Sequence, residues 1–97
     1  MESAWDRLLE LVEQLATDPA LPLDAAAEGR LAGYAHEAVA DRHIDTELHV
    51  PDVTRWLAGL VTAHRALRDT HPEVDTDTEL GNLLRIVTRW LHPARPR

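Results

Sequence analysis

Six histidines, His36, His43, His49, His64, His71 and His92, are the side chains of this sequence best suited to holding a metal or carrying a proton. Their spacing does not assemble a specific site. His36-Glu37 has the opening of a zinc-protease helix motif, but the second histidine of that motif belongs at position 40, where Ala40 stands. Helical metal sites built from Glu-x-x-His pairs are also absent, because no Glu lies three residues before any His. His36 and His43, seven residues apart, can share a helix face, yet a third ligand would have to come from an element that nothing in the sequence specifies. The expectation is therefore no metal and no cofactor, with most histidines on the surface and His92 near a helix C-terminus.

The other routes to catalysis are equally bare. No cysteine is present, which removes thiolate nucleophiles, disulfides and sulfur-ligated clusters. Glycine-rich phosphate loops, a nucleophile elbow and a Ser-His-Asp order in supporting context are missing. A helical enzyme that grips a dianionic substrate needs several cations, usually including Lys, whereas all ten basic residues here are Arg and show no matching pattern. The sequence predicts a protein that is not an enzyme.

Charge is the more informative signal. The net charge of −7 is unevenly spread: residues 1–50 hold eleven acids against three arginines, and residues 51–97 hold six acids against seven arginines. An acidic surface repels phosphate backbones and anionic lipid, so direct nucleic-acid or membrane binding is not expected. Arg55, Arg65 and Arg68 fall on or near the polar side of one helix, but they make a poor nucleic-acid footprint beside so many carboxylates. A partner protein with a basic surface is the complementary expectation, with Glu10, Glu13, Glu28, Glu37, Asp41 and a partly exposed Trp90 as interaction candidates. No basic stretch followed by a long apolar run opens the chain, which places it in the cytoplasm as an expectation.

Four amphipathic segments must position these residues. Ser3 and Asp6 form a helix-opening pair, followed by Trp5, Leu8, Leu9, Val12 and Leu15 at helical spacing, and Thr17-Asp18-Pro19 ends the run. Asp24 caps a second helix from Ala25 to about His43. Its apolar face is thin (Leu31, Tyr34, Ala35, Ala38, Val39), and Gly29 and Gly33 either admit a close neighbour or simply cost stability. A third helix begins near Pro51 and carries Val53, Trp56, Leu57, Leu60, Val61, His64 and Leu67 inward until His71-Pro72. Thr76 and Glu79 are predicted to form a capping box for a fourth helix with Leu80, Leu83, Leu84, Val87 and Leu91 inward and Trp90 beside them. The predicted fold is all-α, a small antiparallel bundle of four helices with short loops: one domain over 1–93 and a frayed tail over 94–97.

Val53-Thr54-Arg55-Trp56-Leu57 recurs as Val87-Thr88-Arg89-Trp90-Leu91, thirty-four residues later. That is the period of tetratricopeptide repeats, but there is no third copy, and one pentapeptide opens a helix while the other closes one. Two independent solutions of the same core spacing are the expected explanation, with Trp5 and Trp56 as core fillers in a chain without Phe. The functional expectation is a small acidic helical interaction module acting as an accessory or regulatory subunit. Two alternatives accompany it: an inhibitor or antitoxin-like protein masking a basic nucleic-acid-binding partner, and a homo-oligomer, a homodimer for example, binding a small ligand or metal.

Overall fold

Ser3 opens the first helix as a complete capping box. Its hydroxyl accepts from the Asp6 amide at 3.1 Å, and the Asp6 carboxylate accepts from the Ser3 amide at 3.3 Å. This is the start of α1 (Ala4–Thr17) in a computed structural model that describes residues 2–93. Three further helices follow, α2 (Ala25–Ala40), α3 (Val50–Thr70) and α4 (Thr76–Leu91), and the described residues contain no strand. The predicted frayed tail, 94–97, lies outside the described residues.

Asp24 caps α2 as expected, accepting from the Ala27 amide at 3.0 Å. The helix stops at Ala40, three residues before His43, because the chain turns there through a Schellman-type end. Arg42 takes a left-handed φ of 62°, and the amides of Arg42 and His43 return to the carbonyls of Val39 and Ala38. The turn drives Ile44 into the core, where it is completely buried. α3 starts with Val50 and has Pro51 in its first turn, where the missing N–H costs nothing. The predicted Thr76–Glu79 box does not form. Asp75 is the N-cap of α4, and its carboxylate accepts from the Thr78 hydroxyl at 2.7 Å and the Thr78 amide at 3.3 Å, which holds its pKa below the ordinary 3.8. Asp preceded the expected cap by one residue and offered the stronger acceptor.

α1 and α3 each touch all three other helices, whereas α2 and α4 do not touch one another. One continuous core draws on all four, with Leu8, Leu31, Ile44, Leu57 and Leu91 wholly buried beside Val12, Val53, Val61 and Val87. Each such side chain stabilises the fold by about 1.5–3 kcal/mol relative to exposure. The radius of gyration, 13.6 Å, is close to the ~13 Å of a compact 100-residue domain.

Long-range polar contacts fasten the helix ends. α1 has no basic residue in its last turn, and α3 supplies two. Arg65 donates to the carbonyls of Leu15 at 2.7 Å, Asp18 at 3.2 Å and Leu21 at 2.8 Å, and Arg68 reaches the Thr17 carbonyl at 3.4 Å. The Leu15 and Thr17 carbonyls are orphans at the negative dipole end of α1, and those of Asp18 and Leu21 belong to its C-cap and the link that follows, so both arginines are occupied in closing this helix end. At the opposite end the Asp45 amide donates to the Leu91 carbonyl at 2.9 Å and closes α4 in the same way.

Candidate protein-interaction surfaces

The principal departure from expectation is Trp56, predicted to fill the core and instead 62% exposed. Its neighbour Leu57 takes the core position, and one residue of helix turns Trp56 by about 100° to the rim of the α3 interface. Trp5 and Trp90 are half-buried against the core. Trp56, Leu60, Ile86 and Trp90 line an open groove of about 300 Å³ between α3 and α4, and Ile86 is itself 53% exposed. Toward the other end of the same helix pair lies a depression of about 170 Å³, whose lining includes Leu60, Ala63, Leu67, Asn82 and Ile86, with His64 in its wall. Leu60 and Ile86 belong to both, so the two depressions form one apolar face.

The two copies of the pentapeptide meet here. Val53, Leu57, Val87 and Leu91 are buried, Arg55 and Arg89 are exposed, and the two tryptophans line the same groove. The repeated pattern thus furnishes both walls of one end of the α3/α4 face.

Beneath it, His64 is 6% exposed, and neither ring nitrogen has a hydrogen-bond partner among the described residues. The expectation that it faces inward holds, and it resides there as an unsatisfied polar group. Among the described residues no three His, Asp or Glu side chains gather in a metal-binding cluster.

The acidic candidates are distributed over a field. Glu10 and Glu13 are exposed on α1, and Glu10 lines the α1/α2 cleft with Arg7, Arg30 and Tyr34. Glu28 borders the α2/α3 cleft with Ala32, His36 and Pro51, and Glu37 and Asp41 are exposed toward the end of α2. Trp90 stands apart from Glu28, Glu37 and Asp41, on the helix that does not touch α2. The residues are thus spread over separate clefts and not drawn into one pocket. Among the described residues the ion pairs are Asp52 with Arg55 at 3.2 Å and with His49 at 3.7 Å, and Glu73 with His71 at 3.1 Å. None involves a carboxylate of α1 or α2. An opening of about 410 Å³ over the α2–α3 link is lined by Arg42, Ile44, Asp45, Thr46, Glu47 and Pro93.

No described helix is long and apolar enough to cross a membrane. Set against known protein families, curated proteins and solved structures, the chain gives no match.

Proposed function

We propose that this chain is an acidic protein–protein interaction module, an accessory or regulatory subunit of the cytoplasm, built as an antiparallel four-helix bundle. Its α1/α2 side receives a partner protein with a basic surface. The observation that carries this reading is the absence, among the described residues, of any ion pair to the carboxylates of α1 and α2. Charge left uncompensated within a fold raises self-repulsion, and a cationic partner relieves it. Such a surface governs association rate and partner choice more than final affinity.

The test is capture from the native host with the wild-type chain and with a Glu10→Lys/Glu13→Lys/Glu37→Lys variant, each at low and high salt. The expected result is a stoichiometric basic partner that is lost at high salt and lost to the variant. Binding insensitive to both salt and charge reversal would overturn the reading.

A further inference from the structure

We propose that the α3/α4 face binds a second copy of this chain across a two-fold axis, with the two α3 helices antiparallel and crossing near Leu60–Ala63. The proposal concerns a different face from the acidic one and does not depend on it.

The face is apolar over an unusual length. Between Arg55 and Asp69, the α3 residues that line the groove and the depression are Trp56, Leu60, Ala63, His64 and Leu67, the exposed residues between them include Gly59 and Ala66, and Arg65 and Arg68 are turned away to α1. Small residues there let another helix approach closely. Two of the three exposed large hydrophobic residues of the described chain, Trp56 and Ile86, stand on this face.

Self-complementarity identifies the occupant. Trp56 projects at one end, and the depression of about 170 Å³ walled by Ala63 and Leu67 lies toward the other. An antiparallel two-fold brings each Trp56 to the depression of its mate. Charge follows the same symmetry: Arg89 flanks the tryptophan end, whereas Glu79 lines the far depression and Asp75 lies beyond it at the start of α4. The axis sets Arg89 of each copy opposite Glu79 of the other, a contact made twice. A parallel arrangement would instead juxtapose like charges. The area fits a reversible pair: between Arg55 and Asp69 the face extends over ~20 Å, and two helices are ~20 Å wide. This gives ~800 Å² in total, the size of a weak, concentration-dependent interface.

Sedimentation equilibrium over an about hundredfold concentration range tests the assignment. The wild type is expected to interconvert between monomer and dimer. Trp56→Glu, at a site already mostly in solvent, weakens the dimer by about 30-fold or more. Arg89→Glu and Glu79→Arg each weaken it by about tenfold, and the double reversal returns to within about threefold of wild type, because the opposed charges are exchanged on both sides at once. Circular dichroism confirms that the variants keep their helices, and the charge pair decides the matter if Trp56→Glu does not fold. A chain that stays monomeric throughout, a dimer indifferent to Trp56→Glu, or a double reversal as weak as its parents would overturn the proposal. A dimer that ignores basic proteins, or a monomer that binds one, separates this result from the acidic-face reading.

Discussion

The α1/α2 half and the α3/α4 half of this molecule meet the same packing requirement with different surpluses. α2 buries only Ala27, Leu31, Ala35 and Ala38, so its contribution to the core is thin, and its surface and that of α1 carry carboxylates with no ion-pair partner among the described residues. α3 and α4 bury Val53, Leu57, Val61, Leu83, Val87 and Leu91 and still leave Trp56 and Ile86 largely in solvent. One half therefore has charge to spare and the other has apolar surface to spare. A surplus of either kind is stabilised by a partner, but by partners of opposite chemistry. Pairing through α3/α4 would turn two acidic faces outward, so that a basic partner with two sites could gain avidity with no new contact.

Adjacent residues on α3 provide the sharpest test of where the apolar surplus lies. Leu57→Ala is expected to cost about 2–5 kcal/mol, since it opens a cavity between packed helices. Trp56→Ala, which removes a larger side chain, is expected to cost under ~1 kcal/mol because most of that side chain never left water. Urea unfolding at low protein concentration measures both. Equal losses would place Trp56 in the core and erase the distinction between the halves.

The two halves share one core, and at the C-terminus of α1 Arg65 adds the chief long-range polar tie between them. Arg65→Met keeps the aliphatic stem and removes the three bonds to Leu15, Asp18 and Leu21, for an expected loss of about 1.5–3 kcal/mol in urea unfolding. Arg68→Ala, with one long bond at 3.4 Å, is expected to lose under ~0.5 kcal/mol. Similar effects from the two substitutions would mean that bulk positive charge near the helix end, and not directed hydrogen bonding, fastens α1.

Much of the architecture was legible because local signals and the core agreed. Ser3-Asp6, Asp24 and Pro51 each start a helix where expected, and the stripe through Leu31, Leu57 and Val87 lies inward. Positions at the edge of a stripe were not legible. Trp56 satisfies the same i, i+4 spacing as Leu57 and Val61, and only the placement of α4 determines which side of that stripe is covered. Ile44 was hidden by a turn that depends on a left-handed arginine, a conformation that no local residue preference announces. Arg65 resembled a solvated cation because its partners are backbone carbonyls more than forty residues away. The candidate surfaces fared likewise. The acids were visible as composition, whereas the α3/α4 face exists only once two distant pentapeptides are set side by side.

The thinness of α2 gives the smallest and most specific predictions. Gly29 and Gly33 were expected either to admit a close neighbour or to cost stability, and a Cβ built at either meets nothing within 4 Å. Close approach is therefore not their role, and Gly29→Ala and Gly33→Ala are each expected to raise stability by about 0.5–1 kcal/mol. Just beyond the helix the sign reverses. Arg42 holds a φ of 62° in the turn that seats Ile44, so Arg42→Gly, which relieves the Cβ strain at some cost in unfolded-chain entropy, is expected to stabilise by about 0.5–1 kcal/mol. Thermal melts of the three variants check this. Alanine favoured within α2 and glycine favoured at its end would show that this helix is limited by backbone propensity and its cap. A loss in Gly33→Ala would instead mean that α2 presents that face to a neighbour.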